Sequence, residues 1–442
     1  MALSANGTIV AAGYPKSGYG VDGKFELGYV QVYRVADLKS SSVEASLSSS
    51  AWQPFGQEVT TTRSGAGSRA ANSALFGTSI ALSGMGTTLI VGDSTSELRD
   101  GRAQVYELVV VSGDDSDNFQ QKQQWVPKGP PLNCNNIWAI QNCGIKVASS
   151  HDGNIVAVGG SNRSKGDLLT DQIRFIGIYR FNRTADSWDL MGQALDGRSL
   201  YGSTSMSSDI PLEIALSADG LTVAIAGNYK IPAVVYAFNV DKNEWIVKGD
   251  NNDNGYVGGQ TVKEEGLYFG ALNVAINANG TQVAVLGIDP FAKAVFVRVY
   301  GYNEDSHDTD GFTKNNKRMA TRTNEADNQQ LAARKWQQIH SDINVSTHDA
   351  SLALSGDGNV LVVGEPTYIN QTNDGITDTA GQIRIFVWRS KGFGLVLTQK
   401  GNESFQFDGL GEGVATSFTG DVVAARSSGY YDHSDVSVFV TP

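Results

Sequence analysis

The chain has 442 residues, 40% of them hydrophobic, and a formal net charge of −12. An acidic balance with no basic stripe excludes a phosphate-backbone partner such as nucleic acid, and no run of 18 or more apolar residues offers a helical membrane span. Fifty glycines against ten prolines, with no long amphipathic helical pattern, fit an all-β protein rich in tight turns.

Seven times along the chain an apolar run enters a short turn ending in glycine, and a second apolar run leaves it. The copies are ALSANGTIVAAGYP from Ala2, FGTSIALSGMGTTLIVGD from Phe76, VASSHDGNIVAVGG from Val147 and IALSADGLTVAIAG from Ile214, followed by VAINANGTQVAVLG from Val274, LALSGDGNVLVVGEP from Leu352 and VATSFTGDVVAARS from Val414. The turn glycines are Gly7, Gly86, Gly153, Gly220, Gly280, Gly358 and Gly420. Intervals of 60 to 79 residues suit a four-stranded propeller blade with generous loops. The adjacent Asn-Gly and Asp-Gly pairs suggest type I′ hairpins, whose positive φ angles explain Asn6 and Asn279.

Each unit continues with a period-2 strand: YVQVYRV at Tyr29, AQVYELV at Ala103, RFIGIYRF at Arg174, AVVYAFNV at Ala233, VFVRVYGY at Val295, QIRIFVW at Gln382 and VSVFVT at Val436. A tryptophan segment follows in five of them, beginning at Trp52, Trp125, Trp188, Trp245 and Trp336. Taken as strands A to D, these predict one seven-bladed β-propeller over 1–442, with blades beginning near 2, 75, 143, 211, 269, 347 and 410. Polar inserts are predicted at 36–51, 111–124 and 304–335. Met1 is followed at once by the first strand A and the sequence stops after the seventh strand C. That reads as a fragment of a longer precursor, or as a ring lacking one strand whose open edge another chain completes. Trp recurring once per outer strand reads as inter-blade packing rather than as sugar-stacking sites. Trp138 and Trp388 fall outside that period and are candidate binding aromatics.

Phe76-Gly77 opening a strand A, Gly13-Tyr14-Pro15 and Gly364-Glu365-Pro366 closing strands B, and the Gly28 to Tyr33 strand resemble FG-GAP repeats, the units of the integrin α-subunit propeller. The resemblance spans nearly the whole chain and implies a seven-bladed ring. Some repeats of that family expand the A-to-B hairpin into an Asp-rich calcium loop; every such turn here is tight, so no calcium site carries over. Elsewhere Asp250, Asn252 and Asn254 before Gly255, and Ser306, Asp308 and Asp310 before Gly311, imitate calcium-loop spacing. Neither has a glutamate at the twelfth position, and loop composition explains both, leaving no cofactor expected and calcium as the one weak metal candidate.

Cys134 and Cys143, nine positions apart, suggest a disulfide of an oxidising compartment. Acceptor triplets for N-glycosylation occur at Asn6, Asn162, Asn182, Asn279, Asn344, Asn370 and Asn402. Together they point to a secreted or cell-surface glycoprotein. The five histidines are scattered, and no H-E-x-x-H, G-x-S-x-G or P-loop is present. No catalytic residue is therefore assigned. The expectation is a non-enzymatic adhesive or structural recognition module, binding protein or glycan partners or assembling with itself. A lectin and a glycan-active hydrolase or lyase are the alternatives, the latter through acid pairs on the B-to-C loops.

Overall fold

Strands that alternate β-branched and aromatic residues bury a face only by pairing and stacking. The computed structural model describes residues 1–15, 28–35, 52–60, 75–94, 101–112, 121–133, 141–162, 173–196, 212–227, 232–249, 257, 270–289, 294–303, 336–368, 370–371, 377–378, 380–389, 392–401, 409–428 and 434–441. It is an all-β, seven-bladed propeller of small antiparallel sheets. The innermost strands A are Ala2–Leu3, Phe76–Leu82, Gln141–Ser149, Glu213–Leu216, Gly270–Ile276, Ser351–Leu354 and Gly413–Thr416. Strands B and C follow in order, as in Thr222–Ala226 and Val234–Asn239 of blade 4, and the outer strands D include Trp52–Pro54, Gln121–Pro127, Glu244–Val247 and Gly392–Lys400. Among the described residues the seventh blade has three strands, the third being Ser434–Val440. The predicted insert 111–124 is partly sheet, because strand C of blade 2 runs to Ser112 and strand D starts at Gln121. The inserts 36–51 and 304–335 lie outside the described residues.

Every A-to-B turn is held by one buried side chain. Ser4, Ser83, Ser150, Ser217, Asn277, Ser355 and Ser417 are each at most 3% exposed. Their side-chain oxygens accept the N–H of the residue five positions on, as Val360 N to Ser355 Oγ at 2.9 Å and Thr222 N to Ser217 Oγ at 2.9 Å. In blade 5 the amide oxygen of Asn277 takes that part, accepting from Gln282 N at 2.9 Å. Four of the serine hydroxyls, those of Ser4, Ser150, Ser217 and Ser355, in turn donate to the Asx residue two positions later, as Ser217 Oγ to Asp219 Oδ1 at 2.5 Å. The turn glycine donates back to the serine carbonyl, Gly220 N to Ser217 O at 2.9 Å.

This geometry corrects the expected turn type. A type I′ turn needs positive φ at both central residues, yet the described residues with positive φ other than glycine are Asp186 and Asn243, both in C-to-D connections. The A-to-B connection instead ends on a left-handed glycine, Gly220 at φ 73°. Asn6 and Asn279 serve as side-chain acceptors: Asn279 Oδ1 takes Thr281 N at 3.2 Å and Thr281 Oγ1 at 2.6 Å, and Asn6 does the same for Thr8.

Backbone bonds, close glycine contacts and apolar clusters all join the blades. The turns link through backbone bonds at six of the seven junctions, all but that between blades 2 and 3: Ala5 N to Gly84 O, His151 N to Ala218 O, Ala218 N to Ala278 O, Ala278 N to Gly356 O, Asp357 N to Phe418 O, and Phe418 N to Ala5 O at 2.7 Å, which ties the last blade to the first. On the opposite rim the Phe76-Gly77 pair has a steric reason: a Cβ on Gly13 would fall on the Gly77 carbonyl, and Gly77 itself has φ 88°. Finally, the apolar clusters lie between blades, as where Ile176 and Ile178 meet Val223, Ile225 and Trp245, and where Val10 meets Val422, Ala424 and Val438 across the closure. Blade strands B such as Thr222–Ala226 are buried on both faces as a result.

Ser355→Ala should strand the buried Val360 N–H and lower unfolding free energy by about 1–3 kcal/mol in chemical denaturation. Gly220→Val should lower it by more than about 1 kcal/mol, since a side chain there is strained and its Cβ would meet Ile155 at 2.8 Å. Midpoints equal to the parent would refute the turn assignment.

Candidate binding surfaces

The tryptophans of the outer strands face inward. Trp125, Trp245 and Trp336 are 2%, 3% and 4% exposed. Each indole reaches the preceding blade and donates to the carbonyl three residues after that blade's own tryptophan. The bonds are Trp125 Nε1 to Phe55 O at 2.8 Å, Trp188 to Lys128 O at 3.0 Å, Trp245 to Met191 O at 2.9 Å and Trp336 to Lys248 O at 2.6 Å. Gln57 and Gln193 add two-way amide clamps on the main chain of Trp125 and Trp245. The lysines at that third position reach the opposite way: Lys128 Nζ donates to Gly153 O and Lys248 Nζ to Gly280 O, in the A-to-B turn of the next blade. The recurrent aromatics are thus joints between blades.

Trp388, expected outside the blade period, belongs to it. It occupies the strand C position held by Phe181, Phe238 and Tyr302 in other blades and packs edge-on against Phe393 at 5.2 Å. Phe393 replaces the tryptophan of strand D there, which hid the register from the sequence. Trp138 lies outside the described residues, as do Cys134, Asn402 and the calcium-like clusters containing Asp250, Asn252, Asn254, Ser306, Asp308 and Asp310. Cys143 is 1% exposed on strand A of blade 3. Asn162 and Asn370 lie on described strands without described side chains. Asn182 is engaged within its turn, donating to Asp189 and accepting from Thr184 N and Ala185 N. Asn344 is exposed.

The rim that carries the B-to-C loops gathers charge in a pattern the sequence reading missed: a carboxylate at the end of strand B and an arginine on strand C. Asp93 meets Arg102 at 3.5 Å. In blade 5, Arg298 binds Asp289 at 2.9 Å and Asp342 through both Nε (2.9 Å) and Nη2 (2.7 Å). In blade 6, Glu365 is 1% exposed and accepts from Ser346 N (2.8 Å), Ser346 Oγ (2.6 Å), Gln382 Nε2 (2.8 Å) and Arg384 Nε (2.7 Å). Burial pushes the Asp342 carboxyl upward, but hydrogen bonds from Arg298 and Gln338 outweigh it and hold the group below the usual carboxylate range. Burial lowers the Arg298 guanidinium, but its hydrogen bonds to Asp342 and Asp289 outweigh that and hold it above its ordinary value. A carboxylate locked to arginine is a poor general acid and a poor nucleophile; it fastens strands B and C and fixes where each loop leaves the sheet. Nearer the axis, Lys146 and Glu213 pair at 2.5 Å between the innermost strands of blades 3 and 4.

Among the described residues no group of three His, Cys, Asp or Glu side chains is placed to hold a metal ion, and no helix is long and apolar enough to cross a membrane.

No protein-family model matches the chain, and no curated protein does. Among solved structures it is similar to the β-propeller domain of Cps50 (Swd1) from Myceliophteria thermophila, at 9% identity over 98% of this chain and 100% of that one, with a TM-score of 0.47. It is also similar to a candidate 6-phosphogluconolactonase from Bacteroides fragilis NCTC 9343, at 10% identity over 99% and 97% of the two chains with a TM-score of 0.45. The Dos1 propeller matches at 8% identity over 99% and 91%, with a TM-score of 0.43. Likenesses this distant bear on the fold alone.

Because its folded value is depressed, Asp342 contributes stability that is complete above the unfolded carboxyl value near 4 and is lost as pH falls through the folded value. The difference in denaturation midpoint between the parent and Asp342→Asn should therefore be constant above about pH 5 and shrink below about pH 4. A difference that grows on acidification would contradict the Arg298 pairing.

Proposed function

We propose that the propeller is a non-enzymatic recognition or structural module of the cell surface or extracellular space, related in its repeat to the FG-GAP propellers. The observation that carries this reading is the employment of its polar groups. The turn serines, the outer-strand indoles of Trp125, Trp188, Trp245 and Trp336, and the glutamines and lysines beside them all bond between or within blades. The rim carboxylates Asp93, Asp289, Asp342 and Glu365 are matched by arginines. Such a scaffold spends its chemistry on rigidity and leaves discrimination to loops of unequal length, nine residues from Asp93 to Arg102 against nineteen from Glu365 to Arg384. A protein or glycan partner then meets the B-to-C and D-to-A face, with no turnover.

The extracellular part of the reading is supported by two features. Cys143 is buried, where a bond to Cys134 would cross-link the loop entering blade 3. Asn344 is an exposed acceptor on an outer strand, and Asn182 sits in an exposed C-to-D turn.

Two measurements test it. Intact mass of native material before and after reduction and deglycosylation should show a two-proton gain on reduction and loss of glycan mass; free thiols and an unmodified mass would move the protein to a reducing compartment. Incubation with a panel of oligosaccharides should give binding without cleavage. Cleavage abolished by replacing one or two loop carboxylates would establish the hydrolase alternative instead.

A further inference from the structure

Where the meeting ends of strands B and C carry charge in blades 2 and 6, they carry two phenol rings in blade 1. Seven residues beyond the turn glycines Gly86, Gly358 and Gly7 stand Asp93, Glu365 and Tyr14. Across the sheet Asp93 faces Arg102, Glu365 faces Gln382 and Tyr14 faces Tyr29. The two tyrosine rings stack, with centroids 4.7 Å apart and planes 19° from parallel. Tyr33, further along the same strand, has counterparts in Tyr106, Tyr179, Tyr236 and Tyr300, each opposite the second residue of its strand B register. A tyrosine that recurs with the blade has a folding explanation, and Tyr14 and Tyr29 do not recur.

Both residues are half-buried, on the rim that carries the B-to-C loops. Side chains alternate along a strand, so Tyr14 shares the face of Val10, which packs on Val422, Ala424 and Val438 of blade 7. Across that junction the exposed Asp435 lies at the start of Ser434–Val440, and its charge is felt at the Tyr14 phenol. Burial above all, then Tyr33, Tyr29 and Asp435, raises that phenol above the ordinary tyrosine range and keeps it protonated. One place on the rim thus combines a flat aromatic pair, a phenol hydroxyl and a solvent-facing carboxylate.

We infer that Tyr14, Tyr29 and Asp435 form a subsite for one neutral sugar ring of a glycan partner. The C–H face of a pyranose lies on an outer face of the stacked pair, and two neighbouring hydroxyls of the sugar donate to the Asp435 carboxylate, which can only accept. Charge sets the class of sugar: Asp435, in a chain of net charge −12, disfavours acidic sugars. A proline-rich peptide also docks on aromatics, but it follows a groove lined by several of them. Here one compact pair stands beside a carboxylate, which suits a single ring better than an extended chain. This rests on the reading of the protein as a non-enzymatic recognition module and names the ligand chemistry at one place on its loop-bearing face.

The probes are methyl β-glucoside, methyl β-galactoside and methyl α-mannoside, with methyl β-glucuronide as the charged control. Saturation-transfer NMR and titration calorimetry on the parent protein should show one-to-one binding of at least one neutral glycoside, with transfer strongest to its ring C–H protons, and no binding of the glucuronide. Tyr29→Ala should abolish that binding and Tyr29→Phe, which keeps the ring, should retain it. Asp435→Asn should weaken it about ten-fold, the size of one charge-assisted hydrogen bond. In the parent, the bound glycoside should shift the Tyr14 and Tyr29 ring resonances, a readout independent of how any variant folds. The inference is overturned if none of the three glycosides binds, if binding leaves those resonances unmoved or is unaffected by Asp435→Asn, or if the glucuronide binds equally well. A proline decapeptide that moves the same resonances when the glycosides do not would overturn it too. A partner bound elsewhere on the loop face, with these tyrosines silent, would sink this subsite and leave the binding-module reading standing. Cleavage of a glycoside held at Tyr29 would do the reverse.

Discussion

One buried hydroxyl or amide oxygen per blade governs the rest of the molecule. An A-to-B turn must reverse the chain beside the axis, where the first strand B amide would otherwise be buried with no partner, and the side chain of Ser4, Ser83, Ser150, Ser217, Asn277, Ser355 or Ser417 accepts that amide. With the turn fixed, the residue after the serine has one direction in which to present its own backbone groups, and that direction is the neighbouring turn. Blade geometry and ring geometry are thus set by the same few atoms. Interior packing then follows: strand B, enclosed on both faces, takes short and β-branched residues such as Val223, Ala224 and Ile225, each fully buried.

Much of this could be read from the residues alone, because it repeats. The glycine of the turn, the period-2 strand C and the tryptophan segment recur with the blade and so announce it. What resisted reading was chemistry that looks ordinary in one copy. The serine three positions before Gly220 or Gly358 passes for turn composition until its burial is known, and the Asn-Gly of Asn279-Gly280 imitates a type I′ hairpin although only the glycine is left-handed. Substitution inside the repeat misled in the same way: Phe393 in place of tryptophan made Trp388 look solitary. The carboxylate–arginine pairs escaped because unequal loops separate partners that the sheet places side by side, Glu365 from Arg384 above all.

Those pairs explain how one rim varies while the sheets do not. A loop is tolerated at any length if its two ends are fastened, since closing a longer loop adds little to the entropy already lost. Arg298, gripping Asp289 across the strands and Asp342 on the outer piece of the blade, fastens three segments at once. Arg384 does the same with Glu365 and the Asn344 carbonyl.

The backbone links between turns repeat along one rim, and the two ends of the ring are joined by different means. Along that rim the links form a chain from blade 3 through blades 4, 5, 6, 7 and 1 to blade 2, so opening any blade other than 2 or 3 breaks links to two neighbours, the Phe418-to-Ala5 link among them. At the other rim, neighbouring blades meet through glycine backbones such as Gly13 against Gly77 and Gly364 against Gly411, and individual bonds join them there, as Gly227 N to Ala271 O at 3.1 Å, Leu410 N to Ala380 O at 3.2 Å and Ser351 Oγ to Gly411 O at 2.8 Å. The turn rim is therefore joined by one repeated main-chain link and the loop-bearing rim by contacts that differ from junction to junction.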